Sequence, residues 1–269
     1  MTAQPLAGRT IAVPESRALE VFAALLERRG ARVIRCPLVV IRDAPDWVPV
    51  LDWSRRLAAA ALDDLVLLTG EGLLRILACI ESHEPALRPR FIDALGGMRK
   101  IVRGPKPAKV LRELGMKPEI SAETPTTEGV IASLRGLDLG GRRMGVQLYG
   151  TEPNRPLVDF LAAAGAVVST VAPYVYADAA DEQAVRSLIE QLRAGLVDAI
   201  AFTSSAQIER LIAVASADGV RSALANTLVA AIGPVVAETL RRHGINVRLM
   251  PEESFFLKPL TRALEEALR

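Results

Sequence analysis

Two loops of this 269-residue chain carry the same residues at the same spacing. Gly104-Pro105-x-x-Ala108-x-x-Leu111-Arg112-x-x-Gly115 returns 129 residues later as Gly233-Pro234-x-x-Ala237-x-x-Leu240-Arg241-x-x-Gly244. Each copy follows an apolar run and opens a helical pattern. Proline suits the first helical turn, where its missing N–H costs nothing, and glycine lets the chain turn sharply and a neighbour come close. The free N–H groups and positive end of such a helix attract carboxylate or phosphate. Hydroxyl-bearing turns add neutral donors: Thr203-Ser204-Ser205 in the second half, Thr69-Gly70-Glu71-Gly72 at the matching place in the first, and Pro125-Thr126-Thr127-Glu128-Gly129 before a further helix. A helix cap accounts for any one of these hydroxyls. Matched sets leave two readings open, plain strand-to-helix turns or a site for an anionic ligand.

Other chemistries find no support. The chain lacks G-x-G-x-x-G, a P-loop with Lys-Ser/Thr, H-E-x-x-H and G-x-S-x-G, which weighs against hydride transfer, phosphoryl transfer and serine hydrolysis. Cys36 and Cys79 stand apart, and with His83 and His243 they make no zinc-ligand spacing, so no metal is expected. His243 reads more simply as a favourable charge in the last turn of its helix.

The elements that must position these loops repeat as well. Gly30-Ala31-x-Val33 matches Gly165-Ala166-x-Val168, Gly8-Arg9 matches Gly141-Arg142, and the apolar run into Thr69 matches the one into Thr203. Strands are expected at Arg9–Val13, Ala31–Arg35, Leu65–Leu68 and Lys100–Val102, and again at Met144–Leu148, Val167–Val171, Ala199–Phe202 and Leu228–Ile232. Helices fall between them: Leu19, Phe22, Leu25 and Leu26 share one face, as do Leu73, Leu74, Leu77 and Ile80. Further helices are expected near Pro156–Ala164, Asp181–Arg193, Gln207–Ala215, Val235–His243 and Phe255–Arg269. This is an α/β chain of two similar halves, with ligand expected in a cleft between them or at strand C-termini.

Composition agrees with that class. Half the residues are hydrophobic, 24% are charged and 4% are aromatic, and the formal charge is +2. So small a charge excludes a protein that coats nucleic acid by bulk electrostatics. Met1–Thr10 has no apolar signal core, and Asp63 and Asp64 interrupt the most apolar stretch, Leu57–Leu68, so a reduced cytoplasmic protein is expected.

The tandem Gly-Pro loops, Thr203-Ser204-Ser205, Pro125-Thr126-Thr127-Glu128-Gly129, and Pro173-Tyr174-Val175-Tyr176 after Gly165-Ala166-x-Val168 together resemble the uroporphyrinogen-III synthase family, from about Gly8 to the C-terminus. The resemblance implies two Rossmann-like (flavodoxin-like) parallel-sheet domains joined by a two-stranded linker, with the first strand and helix exchanged. One domain would combine residues 1–36 with 176–269, the other would be 37–175, and the linker strands would be Pro37–Ile41 and Pro173–Ala177. It implies a cofactor-free lyase of porphyrin biosynthesis: the linear tetrapyrrole hydroxymethylbilane loses its hydroxyl, ring D inverts through a spiro intermediate, and uroporphyrinogen III forms with release of water.

Tyr176 lies where that family carries a linker tyrosine that assists hydroxyl departure, with Tyr174 two residues away on the same strand face as the alternative. The substrate's acetate and propionate arms would be held by Arg17, Thr69, Gly70, Arg103, Gly104, Thr126, Thr127, Tyr149, Gly150, Arg155, Thr203, Ser204, Ser205, Gly233 and Pro234. Departures from the family pattern are Val13-Pro14-Glu15-Ser16-Arg17, where Thr-Arg-Pro is usual, Tyr149-Gly150-Thr151-Glu152-Pro153-Asn154-Arg155, and Glu71, which would repel an acidic substrate unless it points away. The implied partners are the tetrapyrrole and, transiently, hydroxymethylbilane synthase, with no nucleic acid, no membrane and a monomeric chain. A non-catalytic tetrapyrrole- or polyanion-binding regulator of the same fold is the alternative.

Overall fold

A computed structural model describes residues 4–180, 182–252 and 254–269. The chain divides into two compact units, one of residues up to Val40 with Ala177–Arg269, the other Ile41–Tyr176. The first unit opens with strand β1 (Thr10–Val13), helix α1 (Leu19–Glu27) and β2 (Arg32–Arg35). Strand β3 (Val39–Asp43) leads into the second unit. There the order is α2 (Val48–Ala58), β4 (Asp64–Leu67), α3 (Gly70–His83), α4 (Arg88–Gly97), β5 (Arg99–Val102), α5 (Pro105–Glu113), β6 (Ile120–Ser121), α6 (Thr127–Leu134), β7 (Arg143–Gln147), α7 (Arg155–Ala163) and β8 (Val167–Val171). Strand β9 (Tyr174–Asp178) pairs with β3 and returns the chain to the first unit. That unit ends with α8 (Glu182–Arg193), β10 (Ala199–Phe202), α9 (Ser205–Ala223), β11 (Leu228–Ala231), α10 (Pro234–Arg242) and α11 (Leu257–Leu268).

Both large sheets are parallel, ordered β11-β10-β1-β2 in the first unit and β6-β5-β4-β7-β8 in the second. The sequence repeat matches β10 to β4, β11 to β5, β1 to β7 and β2 to β8, so the four strands of the first sheet reproduce β5-β4-β7-β8. Each unit therefore mixes pieces of both halves of the repeat. Gly30 and Gly165, with φ of +93° and +81°, make the same left-handed turn into β2 and β8.

The central strands β4 and β10 are buried at every position because helices cover both sheet faces. Leu65 and Leu67 of β4 join a core with Val50, Trp53, Ile76 and Phe91. The alternate residues Val66 and Leu68 join another with Val130, Leu134, Leu157 and Leu161. The strict alternation follows from side chains pointing to opposite faces along a strand.

Most strands lie within a residue of their expected bounds, and α5 and α10 begin at Pro105 and Pro234. Three differences have physical causes. The linker strands start at Val39 and Tyr174 rather than at Pro37 and Pro173, since proline offers no N–H to the ladder. Helix α9 starts at Ser205, two residues early, and runs to Ala223 across a break at Ser216 (φ +62°, ψ 162°), whose Oγ accepts the Gly219 N–H at 3.3 Å and restarts the helix. The repeat register also shifts: the equivalent N-caps are Thr69 and Ser204, so Thr203 matches Leu68 rather than Thr69. Helix α8 begins at Glu182, and the expected start, Asp181, lies outside the described residues. No helix among the described residues is long and apolar enough to cross a membrane.

Candidate active site

Doubly wound sheets bind ligands beyond the strand C-termini, where the chain order reverses. In the second unit that point lies between β4 and β7. Thr69 follows β4, Tyr149 and Gly150 follow β7, Arg103 follows β5, and Tyr174 and Tyr176 stand on β9. The chain has three tyrosines, and all three gather around Arg103. The guanidinium lies 5.1 Å from the centre of the Tyr149 ring. Tyr174 and Tyr176 meet edge to face at 5.6 Å. Gly150 has a φ of +60°, and a Cβ there would come within 3.0 Å of the Tyr176 ring, so only glycine suits both the turn and the neighbour.

Tyr174 is fully buried, whereas Tyr176, Tyr149 and Arg103 are partly exposed. The Tyr174 hydroxyl lies 3.3 Å from Thr69 Oγ1. Burial pushes its phenol up, with the bond to Thr69 as the main opposing effect. Burial pushes Arg103 down, and the charges that oppose this are the three phenols rather than a carboxylate. A partly desolvated guanidinium over an aromatic face is a strong attractor for a carboxylate.

A carboxamide locks the Thr69 turn. Gln147 Oε1 accepts the Thr69 N–H at 3.1 Å, while its Nε2 donates to Thr69 Oγ1 at 3.3 Å and to the Leu148 carbonyl. Gly72 makes room for it, since a Cβ there would lie 1.9 Å from that nitrogen. Thr69 Oγ1 also caps α3 by accepting the Gly72 N–H at 3.0 Å.

The corresponding point of the first unit lies between β1 and β10. Glu15, only 7% exposed, accepts the N–H groups of Ser16 and Arg17 at 3.1 and 3.0 Å and the Thr203 hydroxyl. Gln207 Oε1 accepts the Thr203 N–H at 2.9 Å, its Nε2 donates to Thr203 Oγ1 at 2.9 Å, and it completes a capping box with Ser204. Ser205 Oγ pairs with Thr239 Oγ1 at 2.8 Å. The polar side chains here thus bond one another.

A family model described as uroporphyrinogen-III synthase HemD matches residues 20–256. The chain belongs to the uroporphyrinogen-III synthase family. It is 32% identical over 254 residues to the uncharacterized protein YjjA of Bacillus subtilis, covering 92% of each chain. It is 28% identical over 258 residues to a putative uroporphyrinogen-III synthase of Methanothermobacter thermautotrophicus, covering 93% of this chain and 94% of the relative. A crystal structure of a mutant uroporphyrinogen III synthase from Thermus thermophilus superposes with a TM-score of 0.79 at 27% identity, covering 97% of this chain and 99% of that one.

Other residues that the synthase resemblance singles out are spread around both sheets. Gly104 and Gly233 are extended, and the side chains that approach them are Pro125, at 2.8 Å from an added Cβ, and Phe255, at 3.1 Å. Pro234 is the first residue of α10. Gly70 faces the Lys106 carbonyl, 2.8 Å from where a Cβ would sit. Thr126 caps α6 by accepting the Gly129 N–H at 3.0 Å, and Thr127 donates to Asn154 Oδ1 at 3.3 Å. Arg17 and Arg155 are exposed. Glu71 is held by Arg75 at 2.8 Å, which offsets its charge. Sequence reasoning missed Gln147, Gln207 and the structural part of Glu15. A carboxamide that takes the same place in both units, from a strand in one and a helix in the other, leaves no common spacing to find.

Proposed function

We propose that this chain is a uroporphyrinogen-III synthase, closing hydroxymethylbilane to uroporphyrinogen III with inversion of ring D and loss of water, and needing no cofactor. The observation that carries this reading is the cluster at the second unit's switch point: three phenols around a guanidinium that makes no ion pair with a carboxylate among the described residues. Arg103 binds a substrate carboxylate arm there, where a charge-assisted bond is strengthened by partial burial. Tyr176, a partly exposed phenol, donates its proton to the departing hydroxyl so that water leaves. Ring D then attacks, forms the spiro intermediate, and reconnects in the inverted sense. Much of the rate comes from holding the chain in the closing conformation against direct cyclisation.

Thr69, Gly70, Tyr149 and Gly150 shape the pocket wall, and Thr126, Thr127 and Arg155 lie within reach of further arms in the same unit. In the first unit the side chains of Thr203, Ser204 and Ser205 are engaged internally, so that unit's share in this reading falls to Arg17 and the main chain around Gly233 and Pro234. The test couples the protein to hydroxymethylbilane synthase and resolves the uroporphyrin isomers after oxidation. Isomer III is expected from the wild type, with turnover lowered about tenfold in Tyr176→Phe. Isomer I alone would reject the synthase reading in favour of a binding protein.

A further inference from the structure

The switch point of the first unit already holds an anion. Glu15 follows β1, and the neighbouring strand β10 leads directly into Thr203. Through Oε1 the Glu15 carboxylate accepts the successive N–H groups of Ser16 and Arg17 at 3.1 and 3.0 Å, and through Oε2 it accepts the Thr203 hydroxyl. Successive backbone N–H groups form a concavity that holds anions. A turn cap needs only the two local bonds, whereas the third reaches across 188 residues of chain to the next strand end. That third donor is fixed in turn: Gln207 Nε2 donates to Thr203 Oγ1 at 2.9 Å, and Gln207 Oε1 accepts the Thr203 N–H at 2.9 Å. Among the described residues no cation is ion-paired with Glu15, so a carboxylate only 7% exposed is held by neutral donors alone. Cut at its Cβ–Cγ bond this side chain is an acetate, and cut at Cα–Cβ it is a propionate.

We propose that Glu15 is a specificity-determining residue, a built-in copy of a ligand arm that fills the first unit's anion cradle and keeps acetate- and propionate-sized carboxylates out of it. That the excluded groups are arms of hydroxymethylbilane rests on the synthase reading. A second carboxylate brought here would meet the Glu15 charge in a poorly hydrated place and find the three donors taken. The cradle thus sorts the arms of a substrate that is acidic on every ring, since the arm nearest this strand end must bind elsewhere.

The excised piece of the side chain is the probe. Thermal unfolding of the full chain is followed for wild type, Glu15→Ala and Glu15→Gln in sodium acetate and in sodium chloride at equal ionic strength. Glu15→Ala is expected to melt below wild type and to recover with acetate, by about 3 °C beyond any wild-type gain at roughly ten times the acetate Kd. Glu15→Gln gains no more than wild type, because its amide still fills the cradle. An acetate response in Glu15→Ala no larger than that of wild type overturns the proposal. If Glu15→Ala does not fold without added anion, the same series reads the folded fraction, which acetate restores and chloride does not; no recovery in acetate also overturns it. In turnover, acetate competes with substrate and raises KM in Glu15→Ala while leaving the wild-type KM in place. A wild-type KM that rises as steeply would mean that the native cradle is open to acids. The melting series needs no substrate, so a chain that yields isomer I alone would remove the synthase reading while the acetate response still decides whether Glu15 fills an anion site.

Discussion

The two units share a sheet, a strand order and a helix cap, yet they present different chemistry at the same place. In the first, the carboxamide beside the β10 turn comes from Gln207 on α9; in the second, it comes from Gln147 on β7, and Gly72 vacates the space. The polar group beyond it is the Glu15 carboxylate in the first unit and the Tyr174 hydroxyl in the second. One duplicated frame has become a self-satisfied anion nest and a cluster of phenols around the Arg103 guanidinium. A repeated backbone therefore says where a ligand could bind, and only the side chains beyond the turn say which copy does the chemistry.

The largest expected effect breaks the frame itself. Gly72→Ala drives a methyl into the Gln147 amide and should destabilise the protein by about 3 kcal/mol, the upper range for overpacking. Gln207→Ala, the matching lesion in the first unit, removes a cap partner and should cost only about 1 kcal/mol. Denaturant unfolding of both reads the contrast. Equal losses would mean that the two carboxamides are interchangeable in weight as well as in position.

Next comes Arg103→Met, which sharpens the contrast in function. A charged hydrogen bond of about 1.5–3 kcal/mol corresponds to a rise in KM of roughly ten- to a hundredfold. Stability should hold or rise, because a guanidinium penalised by desolvation is removed. Thr203→Val in the first unit should do the reverse, since it strips a donor from the buried Glu15 and costs about 1–3 kcal/mol with KM nearly unchanged. A raised KM with normal stability in Thr203→Val would mean that the first nest releases Glu15 and takes substrate.

How far the sequence foretells this follows from the range of each interaction. The Gly-Pro loops announce the starts of α5 and α10 closely because the signal is local: a proline tolerated in the first helical turn and a glycine beside it. The strands β8 and β10 were legible for a similar reason, as short apolar runs between turn residues. The Thr69–Thr203 equivalence failed by one residue because apolar runs align equally well in adjacent registers, and only the cap geometry selects Ser204. Tyr149, Tyr176 and Arg103 were named through a family resemblance; that they meet depends on β5, β7 and β9 coming together, which no local pattern encodes. Gln147 and Thr69 lie far apart in the chain, and a lone glutamine at a strand end carries no mark of its partner.

The smallest effect concerns the opposite end of the sheets, where the duplication has been kept. Asp63 takes the Arg143 N–H at 2.8 Å and its Nη2 at 2.6 Å; Asp198, its counterpart, takes the Thr10 N–H at 2.8 Å and Arg9 Nη1 at 3.2 Å. Hydrogen bonds from the Arg143 side chain, then from its backbone, hold the Asp63 carboxyl well below the usual carboxylate range. A carboxyl lowered in the folded state adds stability that is complete above its unfolded pKa, near 4, and is lost as pH falls toward the folded value. Because Asp63 is partly exposed, solvent screens the pair, and Asp63→Asn should lower Tm at neutral pH by only about 1–2 °C. The gap between wild type and variant should close as pH drops below about 4. A gap that stays constant across that range would leave the charge pair without weight at this end of the sheet.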